Sequence, residues 1–129
     1  MSVSETGPEP ETEQSAPTIT EAGIVIENAR RRMVVFAVAE ADETMDVGGL
    51  AEAIAAAESE TVPAALSSDK RKAVYNPLNR VHLPKLDKMG IVDYDPDRKT
   101  VEKGPAADAM LQILNIVADV CAGEDGGEN

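Results

Sequence analysis

The chain is poor in the residues from which most sites are built. Its 129 residues include one cysteine, one histidine, no tryptophan, two tyrosines and one phenylalanine. A lone cysteine, Cys121, excludes an internal disulfide and a cysteine-based metal site, and it fits a reducing compartment. A lone histidine, His82, has no companions at metal-ligand spacing, so packing or hydrogen bonding is its expected task. No apolar run approaches the length that spans a bilayer, and no basic, apolar signal-like segment opens the chain; a soluble cytoplasmic protein with no membrane partner is expected. Paired carboxylates, a nucleophile beside a base and a Gly-rich phosphate cradle are all missing, which argues against an enzyme and against a bound cofactor. Asp93, Asp95 and Asp97 alternate as in a calcium loop, but Pro96 interrupts them and no closing Glu follows, so no metal site is expected. Positive charge is scarce too: 12 Lys and Arg against 24 Asp and Glu give a formal net charge of -12.

What remains has room for one small domain of roughly ninety ordered residues. Residues 1–23 combine Ser, Thr, Pro, Gly and Glu with no basic side chain, a composition that cannot offset its ordering entropy, and they are expected to form a disordered acidic tail. A first helix is predicted over about Ile26–Glu40, with Ala29, Met33, Phe36 and Ala37 at helical spacing toward the core. Arg30, Arg31 and Arg32 occupy consecutive positions and so fan around that helix. Met45–Gly48 can supply a short strand. Leu50, Ala51, Ile54 and Ala55 give the apolar face of a second helix over about Gly48–Ser59, whose alanines permit close helix approach. Ser67 or Ser68 caps a third helix. Its apolar positions Val74, Leu78, Val81, Leu83, Leu86 and Met89 keep a helical period disturbed once, where Pro77 and Pro84 remove backbone donors and either kink or split the segment. Gly90 ends it. Ile91–Asp95 and Lys99–Lys103 read as strands joined by the turn Asp95-Pro96-Asp97-Arg98.

The predicted fold class is therefore mainly α with a small β wing: a winged helix-turn-helix over residues 24–103 with an additional C-terminal helix over residues 104–123. Residues 124–129 form a second tail expected to be disordered. On the last helix Met110, Leu111, Leu114, Val117, Ala118 and Cys121 make a heptad-like stripe, widened by Ile113, Ile116 and Val120, and this predicts a homodimer joined along that stripe. The plainer alternative is that the helix caps its own domain.

Nine of the twelve basic residues lie between Ser67 and Lys103. Arg71, Tyr75 and Asn79 stand four apart, giving one row with a bidentate donor, a phenolic hydroxyl and an amide, and this row is expected to read bases in a major groove. Lys70, Lys72 and Arg80 are expected on phosphates, which position a protein without specifying sequence. Arg98 and Lys99 are expected to be wing contacts, while Lys85 and Lys88 either touch backbone or only solvate their surface. Double-stranded DNA is thus the expected partner. The alternatives are a protein-interaction or assembly module that keeps the fold without DNA, and a solvated basic face with local ion pairs.

Three stretches carry a family resemblance. Asn28-Ala29-Arg30-Arg31-Arg32, Leu50-Ala51-Glu52-Ala53-Ile54, and above all Lys70-Arg71-Lys72-Ala73-Val74-Tyr75 with His82-Leu83-Pro84-Lys85-Leu86-Asp87-Lys88-Met89-Gly90-Ile91-Val92-Asp93-Tyr94-Asp95 resemble the haloarchaeal winged helix-turn-helix family of small presumed transcriptional regulators. The acid surplus, and the use of Ala and Val in place of larger apolar residues, look like the same halophilic setting; at molar salt the Debye length is about 3 Å, so net charge says little about the partner. The resemblance implies DNA binding, commonly as a homodimer, and regulation of transcription. The sequence departs from it at Asn76-Pro77, inside the expected recognition helix, and in a short wing with alternating Asp residues.

Overall fold

A computed structural model describes residues 16–121. Residues 1–15 of the first expected tail, residues 122 and 123 at the end of the expected C-terminal helix, and the second tail, 124–129, lie outside the described residues. A helix, α1 (Ile19–Ile26), occupies the end of the segment read as tail, which corrects that assignment for its last residues. It forms because Thr18 and Glu21 make a capping box: Thr18 Oγ1 accepts from the Glu21 N–H at 3.0 Å and the Glu21 carboxylate accepts from the Thr18 N–H at 3.0 Å. Ala22 and Val25 on its inner face are buried.

Asn28 caps α2 (Ala29–Glu40), its Oδ1 accepting from the Arg31 N–H at 3.1 Å. Val34, Val35 and Val38 face the centre, whereas Met33, Phe36 and Ala37 pack at its margin and Ala29 is exposed. The consecutive arginines do fan out. Arg31 Nη1 donates to the Ile24 carbonyl at 2.8 Å and Arg32 Nη1 to the Ile26 carbonyl, so two carbonyls at the open end of α1 receive side-chain donors.

Strand β1 (Met45–Asp46) leads directly into α3 (Val47–Glu58), for which Asp46 is the cap, accepting from the Gly49 N–H at 3.1 Å. Leu50, Ala51, Ile54 and Ala55 are buried as the helical spacing predicts. After a 3₁₀ turn at Pro63–Ala65, Ser67 caps α4 (Ser68–Pro77), accepting from the Lys70 N–H at 3.2 Å. A π-helical segment (Leu78–His82) and α5 (Leu83–Lys88) follow without a break.

Neither proline ends this run. Across the π segment the Leu83 N–H reaches back five residues to the Leu78 carbonyl, so the turn that leads into Pro84 is already widened. The additional residue in that turn moves the inner face along by one. Val81, expected in the core, is 46% exposed, while His82 and Leu83 take the interior at 8% and 0%.

Gly90, at φ 75, closes the run. Strands β2 (Val92–Asp95) and β3 (Thr100–Lys103) form a hairpin, and β1 adds to its other edge, giving a three-stranded antiparallel sheet in the order β1-β3-β2 with Val101 opposite both Met45 and Tyr94. Gly104 crosses against Gly90, where a Cβ would stand 2.4 Å from the Gly90 carbonyl oxygen. The last element among the described residues is α6 (Ala107–Val120).

The core lies where α2 meets α6 and β3, with α4 packed on α3 and α5 on β2. Met110 and Leu114, assigned to a dimer seam, are buried at 0% and 3% in the chain's own core, because α6 packs on α2 and α1. Of the remaining stripe, Leu111 and Val117 are half-buried, and Ala118 and Cys121 are exposed. Ile116 and Val120 face outward at 62% and 77% exposure. Among the described residues no helix is long and apolar enough to cross a membrane.

Candidate nucleic-acid interface

Several cations, the expected contacts Arg71 and Arg98 among them, are tied up within the chain. The Arg30 guanidinium makes a two-point contact with Glu58, Nε to Oε2 at 2.6 Å and Nη2 to Oε1 at 2.9 Å. Its Nη1 donates to the Ala73 carbonyl at 3.4 Å, and that carbonyl is the one left without a helical donor by Pro77, four residues on. Arg71 is drawn toward α3: Nη2 donates to the Pro63 carbonyl at 3.0 Å, and Nε lies 3.4 Å from the Glu52 carboxylate, an ion pair without hydrogen-bond geometry. Arg98 Nε is 3.9 Å from Asp95, and Lys103 Nζ is 3.3 Å from Asp108.

Among the described residues, six Lys and Arg side chains have neither an ion pair nor a side-chain hydrogen bond: Lys70, Lys72, Arg80, Lys85, Lys88 and Lys99. All six lie on the α4–α5 run or on the turn of the hairpin.

The row expected to read bases is taken apart. Asn79 uses both ends of its amide, Nδ2 donating to the Tyr75 carbonyl at 3.0 Å and Oδ1 accepting from the Tyr94 hydroxyl at 2.8 Å. With Arg71 held by Glu52 and Pro63, only Tyr75 of the three keeps a side chain free of such partners, and it is half-buried. The cause lies in the hairpin. Val92 and Tyr94 alternate with Asp93 and Asp95, so the strand turns Tyr94 onto the helical run and both carboxylates away from it. Burial first, then Tyr75 and Asp95 nearby, pushes the Tyr94 hydroxyl above its usual range, so it stays a donor to Asn79.

The wing consequently has two unlike faces. Asp93, Asp95 and Glu102 gather on one, together with Thr44, Thr100 and Arg98, so Arg98 belongs to the acidic side. Asp95 Oδ1 accepts from the Asp97 and Arg98 N–H groups at 3.0 and 3.1 Å and folds the turn back. Lys99 sits at φ 57 with its carbonyl accepting from the Val47 N–H at 3.0 Å, and its side chain lines the opposite face.

That face and the helical run enclose a groove of about 600 Å³. Tyr75, Tyr94, Pro84 and Pro96 supply apolar wall, and Arg80, Lys88 and Lys99 supply charge. Among the described residues Asp87 is the one carboxylate there, and its Oδ2 already accepts from the Tyr94 N–H at 2.8 Å. On the outer side of the run Arg80, Lys85 and Lys88 surround Val81 and Pro84.

Of the expected site residues, Arg80 and Lys99 meet in the groove with Tyr75 and Asn79. Lys70 and Lys72 stand exposed near the start of α4. Sequence reasoning missed Tyr94, although its alternation with Asp93 and Asp95 was the available signal, and it left Lys88 undecided. Among the described residues no group of three His, Cys, Asp or Glu side chains is placed to hold a metal ion.

Residues 23–102, from the end of α1 through β3, match the family model described as a domain of unknown function, DUF7344. The chain belongs to that family. Neither a curated protein nor a solved structure matches it.

Proposed function

We propose that this member of the DUF7344 family is a winged helix-turn-helix protein that binds double-stranded DNA and regulates transcription, gripping the duplex chiefly by its phosphates. One observation carries the reading: on a chain of net charge -12, the six cations left without partners among the described residues all fall on the helical run and the wing turn. Scattered solvation would leave such cations on every element. The order helix, strand, helix, helical run, hairpin, with sheet order β1-β3-β2, supports the winged-helix assignment, with α4–α5 as recognition segment and β2–β3 as wing.

Cationic side chains displace the counterions condensed on DNA. Lys70 and Lys72 serve one end of the run, and Arg80, Lys85, Lys88 and Lys99 serve the other end and the wing. Base reading by Arg71 and Asn79 requires release of their present partners, whereas phosphate contact requires nothing to move. The outward Ile116 and Val120 on α6 support a homodimer, which doubles the number of contacts.

The test is the salt dependence of duplex affinity. Each lost phosphate contact lowers the slope of log affinity against log salt by about 0.9, so Lys70→Ala with Lys72→Ala reduces it by roughly 2 per protomer. Absence of any salt-dependent duplex binding by the wild type refutes the proposal. The engagement of Arg71 and Asn79 within the chain favours a second reading, a protein-interaction module. It expects no duplex binding at any salt and a protein partner that survives the double substitution.

A further inference from the structure

We infer that the groove between the helical run and the wing is a nucleotide site. It takes a nucleoside phosphate whose flat body lies against the Tyr75 and Tyr94 walls and whose phosphate meets Arg80, Lys88 and Lys99. The inference concerns part of the surface assigned above to duplex DNA but rests on separate observations, and either can fail without the other.

The first observation is scarcity. The chain has three aromatic side chains in 129 residues, and both tyrosines line this one groove. The second is charge: among the described residues, three of the six cations that have no partner of their own converge there, against one carboxylate that is already engaged. The third is preorganisation. The Tyr94 hydroxyl is fixed on Asn79 and its N–H on Asp87, and the Asn79 amide is fixed on the Tyr75 carbonyl, so the Tyr94 wall stands in place before a ligand arrives. The volume, about 600 Å³, falls within the range of roughly 300–1,000 Å³ usual for small-molecule clefts.

Each simpler ligand leaves part of the groove unused. An inorganic anion satisfies the cations and ignores the tyrosines. A neutral apolar molecule does the reverse. Intact duplex keeps its bases stacked within the helix and offers this wall only its sugar-phosphate edge. An unstacked nucleotide brings a ring and a phosphate together, and aromatic side chains beside a cationic groove are how such nucleotides are held. Among the described residues the Asn76 amide and the Tyr75 hydroxyl have no side-chain partner, which leaves them available to a base edge.

Without tryptophan, the intrinsic emission of the chain comes from Tyr75 and Tyr94 alone, so ligand entry reports on itself. The full chain is titrated with adenosine monophosphate, with a single-stranded oligothymidylate and with inorganic phosphate, and duplex binding is followed separately by anisotropy of a labelled duplex. Saturable change in tyrosine emission with the monophosphate assigns a free nucleotide as ligand, and saturation with the oligothymidylate alone assigns a strand. Tyr75→Ala weakens the effective ligand by about tenfold while Tyr75→Phe stays within roughly twofold, and Arg80→Ala with Lys99→Ala weakens it at least as much as Tyr75→Ala. No saturable change with either nucleotide, or an equal change with inorganic phosphate, overturns the inference. Duplex binding without the nucleotide response overturns this inference alone; the nucleotide response without duplex binding leaves it standing and overturns the duplex proposal.

Discussion

His82 makes the stability of this protein depend on pH in a direction that follows from its contacts. It lies at the end of the π segment, 8% exposed, with Nδ1 accepting from Arg31 Nε at 3.3 Å. The same guanidinium donates to the Ile24 carbonyl at 2.8 Å, so one arginine ties the end of α1 to the helical run. An imidazole that accepts at Nδ1 is neutral, with its proton on Nε2. Burial first, then the positive charges of Arg31, Arg30 and Lys85, hold its pKa below the ordinary 6.5, with Glu58 opposing. The unfolded chain takes up a proton on this imidazole near pH 6.5, while the folded chain resists until its lower pKa is reached. Between the two values the unfolded state binds more protons, so stability is fully present above the unfolded pKa and declines as pH falls through it. A single proton limits the slope to about 1.4 kcal/mol per pH unit. Urea unfolding from pH 8 to 5.5 of the wild type and His82→Gln measures it, because carboxylates titrate in both chains and largely cancel in the difference. The wild type loses ground to the variant below about pH 6.5. Parallel curves across the whole interval, or a wild type that gains on the variant as pH falls, refute the reasoning.

Four further substitutions probe the fold that positions the groove. Leu83→Ala, at a fully buried position, costs about 2–5 kcal/mol, whereas Val81→Ala, at a half-exposed one, stays within about 0.5 kcal/mol; denaturant midpoints that reverse this order contradict the π segment. Gly104→Ala places a Cβ 2.4 Å from the Gly90 carbonyl oxygen and 3.0 Å from two backbone carbons, none of which can rotate away. A loss of about 1–3 kcal/mol is expected, and a thermal melt unchanged from wild type tells against the crossing. Thr18→Ala removes half of a capping box and costs about 1 kcal/mol, with loss of amide-exchange protection over Ile19–Ile26; protection equal to wild type shows that α1 does not depend on its cap.

Helices α2 and α3, the hairpin and α6 were legible because their signals are local: apolar residues at helical spacing, and the turn Asp95-Pro96-Asp97-Arg98 between two short runs. Helix α1 was hidden because Pro17, Thr18 and Thr20 continue the composition of the acidic segment before it, and its cap is visible only as Thr18 paired with Glu21 three residues on. The site was harder to read than the fold. Helical spacing places Arg71, Tyr75 and Asn79 on one row, but spacing contains nothing about Glu52, Pro63 and Tyr94, which are distant in sequence and claim two of the three. Likewise the apolar stripe of α6 is continuous in sequence, yet the chain's own core takes Met110 and Leu114 and leaves Ile116 and Val120 outside.

The widened turn between the two prolines that look like helix breakers is what makes the cationic rim continuous. Asn76, Arg80, Pro84 and Lys88 stand four residues apart, and all four line the groove. In an uninterrupted α-helix each four-residue step overshoots a full turn by about 40°. Over the three steps from Asn76 to Lys88 the drift would reach about 120°, carrying Lys88 off the face that Asn76 occupies. The π segment inserts one residue, seen in the bond from the Leu83 N–H back to the Leu78 carbonyl, and an inserted residue takes back about 100°. The four side chains then fall close to one line. The same correction replaces Val81 by His82 and Leu83 on the inner face, so core and groove are set by a single irregularity. Pro77 and Pro84 flank it, and each lacks the N–H that would continue a regular ladder toward the residue four back. Restoring an unbroken α-helix here would turn Lys88 away from Arg80 and Lys99 and divide the charge that both the duplex and the nucleotide proposals require.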